Sequence, residues 1–86
     1  MTRLGIIGIV VRGDRSVVSE VQSQLSAFGD IIIGRMGVPD RAHGLSAISV
    51  IVEGENERIS ALSSALGRLD NVNVKSALLS ADILGE

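Results

Sequence analysis

The sequence lacks the residue types on which several kinds of protein chemistry depend. Its 86 residues include no Cys, Trp or Tyr and only one Phe. Without Cys there is no disulfide, iron–sulfur ligand or thiol nucleophile. Without Trp and Tyr, base stacking and aromatic-cage binding are not expected. A net charge of −2 gives no long-range attraction to nucleic acid or to an anionic membrane, so we expect neither as a direct partner.

The residues that are present suffice for one small hydrophobic core. Apolar residues make up 45% of the chain, which is enough for one domain of this length and too little for two. No apolar run approaches the length of a membrane span, and no signal peptide is visible. We therefore predict a cytoplasmic protein with a single domain over residues 1–79 and a short C-terminal tail over residues 80–86.

Four segments have the pattern of β-strands. Residues 4–11 form a continuous run of aliphatic residues that stops at a turn cluster. Residues 31–38 begin with three isoleucines, and Pro39 is predicted to end this strand. Residues 45–53 alternate, with Ile48, Val50 and Val52 on one face and Ala47, Ser49 and Ile51 on the other. Residues 72–77 form the last strand. Residues 40–44 are predicted to be a loop, and residues 54–56 a turn.

Two segments have helical periodicity. In residues 16–28 the apolar side chains fall within an arc of about 100° on a helical wheel. Asp14 or Ser16 is the expected N-cap of this helix, and Gly29 is expected to stop it. Residues 57–69 have a similar apolar stripe. The order βαββαβ predicts an α+β, ferredoxin-like sandwich. Its antiparallel sheet has strand order 4-1-3-2, and both helices cover one face.

Few residues have the chemistry of a functional site. One His and scattered carboxylates give no catalytic set, so we predict neither an enzyme nor a cofactor. His43, with Asp40 beside it, is too little for a transition metal in one chain, although a symmetric oligomer could bring copies together. We assign no metal site and keep His43 only as a weak candidate. The alternative is that His43 is an ordinary exposed histidine in a loop.

Two glycine–arginine segments are better candidates for binding. Arg12, Gly13 and Asp14 lie between the first strand and the first helix, where backbone N–H groups can receive a carboxylate or another anion. A solvated turn is the alternative. The second segment lies within the second strand, where glycines often mark a bulge or the close approach of a partner or ligand. It comprises Gly34, Arg35, Met36 and Gly37.

Three sequence segments carry a resemblance to a known family. They are GIVVRGDR at residues 8–15, IGRMGVP at residues 33–39 and LGRLDNVNVKS at residues 66–76. Together they resemble the small proteins named as regulators of the iron-only hydrogenase system, over about residues 4–79. The resemblance implies a ferredoxin-like, ACT-type domain similar to the C-terminal regulatory domain of nickel-responsive repressors.

The chain departs from those repressors in two respects. Their ribbon-helix-helix segment precedes the regulatory domain, and here the first strand begins at about residue 4. They bind metal with several His and a Cys, and here only His43 is available.

ACT domains that bind amino acids place a glycine after the first strand, and Gly13 matches that position. The resemblance thus implies a non-enzymatic regulatory module that senses a small molecule at a subunit interface. A partner protein would recognise the resulting change in subunit arrangement. A metal-responsive regulator and a ligand-free scaffold are the alternatives.

The strands themselves predict a homo-oligomer. With both helices on one face of the sheet, a monomer needs a polar opposite face. The first and third strands instead place aliphatic residues on both faces. A soluble monomer seldom exposes such a patch, so we expect a dimer or tetramer that buries it or extends the sheet through its edges.

Overall fold

Six elements follow one another in the predicted order. The computed structural model describes residues 2–13 and 15–79. The elements are β1 (Thr2–Arg12), α1 (Arg15–Ala27), β2 (Ile32–Asp40), β3 (Leu45–Glu55), α2 (Asn56–Gly67) and β4 (Val72–Leu78). The strands form one sheet in the order β2-β3-β1-β4, and every neighbouring pair is antiparallel. The predicted fold class and the strand order 4-1-3-2 are confirmed. The predicted tail at residues 80–86 lies outside the described residues.

The core lies between one face of the sheet and the two helices. Alternate residues of β1 and β3 are buried because successive side chains of a strand point to opposite faces. The buried core consists of Ile7, Ile9, Val11, Val21, Leu25, Ile31, Ile48, Val50, Val52, Ile59, Leu62, Leu66 and Val72. The helical members of this set, Val21, Leu25, Ile59, Leu62 and Leu66, all belong to the predicted apolar stripes. In β3 the buried face is that of Ile48, Val50 and Val52.

Two predicted boundaries of β2 and β3 are wrong. Pro39 does not end β2 but lies within it, paired with Ser46 of β3. A proline is tolerated there because β2 is an edge strand, where half of the backbone groups need no ladder partner. Gly54 and Glu55 are not a turn but continue β3, and α2 begins directly at Asn56.

The ends of the first helix also differ from the prediction. Ser16 is the second residue of α1 and therefore is not its N-cap. The other predicted N-cap, Asp14, lies outside the described residues. At the C-terminal end the helix stops at Ala27, and the N–H of Gly29 donates to the carbonyl of Ser26 at 3.2 Å. The predicted stop near Gly29 is thus close to the observed end.

No helix within residues 2–13 and 15–79 covers the opposite face of the sheet. We call it the open face, and the strand register aligns its residues in rows that run across all four strands. Ile6 and Val10 of β1 point to this face, while Ile7, Ile9 and Val11 point to the helices. Several of its large apolar side chains are well exposed: Ile6 at 45%, Ile51 at 41%, Met36 at 66% and Val38 at 52%. The predicted aliphatic character of this face is therefore present in the structure.

Candidate functional site

The turn between β1 and α1 requires a glycine. Gly13 has a φ of 125°, a backbone conformation that residues with a Cβ rarely adopt. A Cβ built on Gly13 would also lie 3.2 Å from Cγ2 of Val17 in the first turn of α1. The preceding N–H, that of Arg12, donates to the carbonyl of Asn71 at 2.8 Å. The end of β1 is thereby tied to the turn that leads into β4.

The hairpin between β2 and β3 lies beside this turn. Residue pairing places Leu45, the first residue of β3, opposite Arg12, the last of β1. The hairpin is held by Asp40, which accepts the backbone N–H of His43 at 3.3 Å and lies 2.9 Å from its Nδ1. Gly44, with a φ of 65°, completes the reversal of the chain. The charged hairpin residues are thus held close to the β1–α1 turn.

A concavity of about 260 Å³ separates the hairpin from the turn, and we call it the turn–hairpin site. Its sides are apolar toward the core and polar toward the hairpin, where a carboxylate, a guanidinium and a hydroxyl are available. It is lined by Val11, Gly13, Val18, Asp40, Arg41, Gly44, Leu45 and Ser46. A small molecule that carries both a cationic and an anionic group is the chemical class that fits these side chains.

Of the three ligand residues predicted from the sequence, one lines this concavity. Gly13 does so, Arg12 is exposed outside the lining, and Asp14 lies outside the described residues. Sequence reasoning missed Arg41 and Ser46 as site residues and considered Asp40 only as a companion of His43. The signal that could have found them was the strand order 4-1-3-2, because it places the start of β3 beside the end of β1.

His43 does not lie in a metal site within one chain. Over residues 2–13 and 15–79, no group of three or more His, Asp or Glu side chains could hold a metal ion. The Asp40 carboxylate that approaches the imidazole also closes the hairpin turn. The pair therefore has a structural role that accounts for its geometry.

An irregularity in β2 directly precedes its glycine–arginine segment. The register with β3 shifts between Ile32 and Gly34. The guanidinium of Arg35 donates to the Gln22 side chain and links β2 to α1. A Cβ at Gly34 would meet nothing within 4 Å, and one at Gly37 would lie 3.9 Å from Ile48. Neither φ nor crowding by the described residues therefore excludes a side chain at Gly34 or Gly37.

A second polar cluster joins the two helices. Nη2 of Arg58 donates to Oδ1 of Asp30 at 2.8 Å, and its guanidinium carbon lies 4.3 Å from the centre of the Phe28 ring. The hydrogen bond from Arg58 holds the pKa of the Asp30 carboxyl below its ordinary value. These groups are exposed on the outside of the helix layer. The cluster fixes α2 against the end of α1 and offers no cavity for a ligand.

The sequence and fold together show the family. Residues 3–76 match the model of the TM1266-like family, which carries the description "Iron-only hydrogenase system regulator, putative". The chain belongs to this family. It is 31% identical to TM1266 from Thermotoga maritima, with a TM-score of 0.90 over 93% of this chain and 100% of that one. The resemblance found in the sequence is thus confirmed, and it places the chain in a family of small regulators.

More distant structures share only the fold. The ACT domain of GTP pyrophosphokinase from Chlorobium tepidum is 16% identical, with a TM-score of 0.76 over 90% of this chain and 100% of that domain. The C-terminal domain of MgtC from Mycobacterium tuberculosis is 9% identical, with a TM-score of 0.71 over 92% and 89%. No curated protein matches the sequence significantly. Among the described residues, no helix is long and apolar enough to cross a membrane.

Proposed function

We propose that this protein is a non-enzymatic regulatory module that works as a homo-oligomer and senses a small zwitterionic molecule, such as an amino acid, at the turn–hairpin site. The observation that carries the proposal is the concavity that joins Gly13 to the charged hairpin residues Asp40 and Arg41. The ACT-like fold and the regulator family support the same class of function. The family description supports a link to the iron-only hydrogenase system.

The groups around the site have complementary roles toward such a ligand. The guanidinium of Arg41 can donate two parallel hydrogen bonds to a carboxylate, and the Asp40 carboxylate can accept from an ammonium group. Gly13 contributes to the lining of the concavity just before the start of α1. Val11 and Val18 provide an apolar wall for a short side chain. The small volume favours a compact ligand over a nucleotide.

Regulation by this module would follow from unequal binding to two arrangements of the subunits. A ligand shifts an equilibrium only by the difference in its affinity for the two states. Asp40 ends β2, the strand that also carries Met36 and Val38 of the open face, and Arg41 follows it in the hairpin loop. A ligand that fixes the hairpin would therefore favour one way of covering that face, and a partner protein would recognise the resulting assembly.

Isothermal titration calorimetry with a panel of amino acids and divalent metal salts tests this function. We expect saturable binding of at least one amino acid by the wild-type chain. Arg41→Gln is expected to weaken it by roughly 10- to 100-fold, the usual range for losing a hydrogen bond from a charged group. Arg68→Gln is the matched control, because Arg68 is an exposed arginine outside the site.

Two results would contradict the proposal. One is the absence of saturable heat with every amino acid of the panel. The other is equal affinity of the wild type and Arg41→Gln, which would place the ligand elsewhere. Saturable binding of a transition metal that is lost in His43→Ala would instead support the metal-responsive alternative.

A further inference from the structure

Nothing among residues 2–13 and 15–79 requires a glycine at position 8. It lies in the middle of β1, a central strand, where glycine weakens a sheet because it offers no side chain for packing. Its φ is not in the left-handed region, and a Cβ there would meet only the carbonyl of Lys75, at an ordinary 3.8 Å. Gly5 differs, because a Cβ there would lie 2.8 Å from Leu78. The described residues thus leave the glycine at this position unexplained.

The missing side chain of Gly8 creates a hollow of about 450 Å³ in the open face. Small residues form its floor, and the longer side chains of Met36 and Val38 bound it toward β2. It is lined by Gly8, Ile9, Val10, Met36, Val38, Ala47, Ile48, Ser49, Asn73 and Lys75. Directly beside it, two residues along the same strands, the exposed side chains of Ile6 and Ile51 form a ridge.

The ridge and the hollow belong to two adjacent rows of the sheet. The register places Gly34, Ile51, Ile6 and Ala77 in one row across β2, β3, β1 and β4. The next row on the open face contains Met36, Ser49, Gly8 and Lys75 in the same strand order. On every strand, one of the two rows has a large side chain and the other a small one.

This alternation is what a two-fold interface requires. Consider a two-fold axis above the open face that runs perpendicular to the strands and lies between the two rows. Rotation about this axis places the first row of one copy over the second row of the other copy, and the reverse. Such an interface is self-complementary, because residue i meets residue j and j meets i. Ile6 then lies over Gly8, Ile51 over Ser49 and Met36 over Gly34 of the partner subunit.

We infer that the hollow at Gly8 receives the Ile6–Ile51 ridge of a second copy of this chain, in a face-to-face two-fold dimer. The inference rests on the proposed oligomeric function and specifies its interface. It accounts for Gly8 and for Gly34, the two open-face glycines that crowding within the chain does not explain. The edge position of β4 lets the Lys75 ammonium extend to solvent while its methylene groups cover the partner.

The area of the open face is close to what such a dimer requires. Seven residues along four strands span roughly 24 Å by 19 Å, or about 450 Å² per copy when projected onto a plane. Two copies would bury about 900 Å² as flat surfaces and more when the ridge enters the hollow, which approaches the roughly 1,000 Å² expected of a specific interface. Packed sheets tolerate this arrangement, since they cross at about 30° with side chains that interdigitate.

The test is light scattering at micromolar concentration on Gly8→Ile, Ile6→Ala and the double variant. Gly8→Ile fills the hollow without crowding its own chain, so we expect the variant to fold. In the dimer the new side chain would clash with Ile6 of the partner subunit, and this clash occurs twice. We therefore expect the dimer dissociation constant to rise by roughly two orders of magnitude. The double variant is expected to restore the dimer, since Ile6→Ala makes room on the partner subunit. Gly37→Ile, on the helix-facing side of β2, is the control and should keep the wild-type mass. Circular dichroism checks that each variant is folded.

Each remaining outcome overturns the inference in a recognisable way. A folded Gly8→Ile variant with the wild-type mass would place the interface elsewhere, while the calorimetric test of the turn–hairpin site would stand. If the double variant does not restore the dimer, the pairing of Ile6 with Gly8 is contradicted. A wild-type mass near 9.0 kDa would refute the dimer and the oligomeric function together. In that case the dye 8-anilinonaphthalene-1-sulfonate would be tested on the wild type and on Gly8→Ile. Dye binding that is lost in Gly8→Ile would assign the hollow to a small apolar ligand.

Discussion

Gly54 is the residue at which adding one methyl group should be most damaging. It lies on the helix-facing side of β3, and a Cβ there would approach Cγ2 of Ile31 to 2.8 Å and Cβ of Ile31 to 3.3 Å. Ile31 cannot move away easily, because its side chain is buried and its carbonyl accepts the N–H of Glu53 at 2.8 Å. A rotamer change could move Cγ2, but the Cβ of Ile31 is fixed by its backbone, so the 3.3 Å contact would remain.

The expected loss can be estimated from two opposing effects. Overpacking a core by one methyl group typically costs 1–3 kcal/mol, so roughly that range applies to Gly54→Ala. Replacing glycine with alanine also restricts the unfolded chain, which favours folding by about 0.4–1 kcal/mol. Together the two effects give a net destabilisation between about 0 and 2.6 kcal/mol, with a middle value of ~1.3 kcal/mol, which for a domain of this size lowers the Tm by roughly 5–10 °C.

Urea and thermal unfolding of Gly54→Ala beside Gly37→Ala measure this difference. At Gly37 the added Cβ lies 3.9 Å from Ile48, an ordinary contact, so only the effect on the unfolded chain remains and stability should be unchanged or slightly higher. Both positions face the helix side of the sheet, so neither substitution touches the open face. Equal unfolding midpoints for the two variants would refute the steric argument.

Four further outcomes are expected. Leu62→Ala, in the fully buried centre of α2, should lower the free energy of unfolding by about 2–5 kcal/mol, as measured by urea titration. Arg58→Gln should raise the Asp30 pKa toward its ordinary value in an NMR titration. Because that pKa is lowered in the folded chain, the stabilisation it reflects is present at neutral pH and is lost as the pH falls through it. Metal analysis of the purified protein should show no stoichiometric transition metal bound by His43. A gel shift at near-physiological salt should show no discrete complex with DNA, since the net charge is −2.

Patterns with a clear period predicted the fold well. The helical wheels identified Leu25 and Leu62 as core residues, and the alternation in β3 correctly assigned Val50 inward and Ile51 outward. Both depend on burial of one face, which constrains every second or every third to fourth residue. The crossover rules then gave the strand order, because few arrangements of βαββαβ obey them.

Single glycines and prolines were harder to interpret, since their roles depend on neighbours that are distant in sequence. Gly54 resembled a turn residue, but it is a glycine because Ile31 approaches it in space. Pro39 resembled a strand end, but an edge strand accommodates it. The turn–hairpin site was partly predicted for a similar reason. Gly13 follows a recognisable strand end, whereas Arg41 reaches the site only through pairing of β1 with β3.

The turn–hairpin site and the open face share structural elements, and this allows ligand binding and assembly to influence each other. Asp40 ends the strand whose open-face residues are Met36 and Val38, and the same hairpin continues into β3 through Leu45. Any ligand that stabilises the hairpin therefore also restricts the edge strand over which a second copy would pack. Thermodynamic linkage makes this coupling reciprocal: if the ligand strengthens the dimer, the dimer must bind the ligand more tightly by the same factor. In the proposed function such a coupling would supply the signal, because a change in assembly is what a partner protein would recognise.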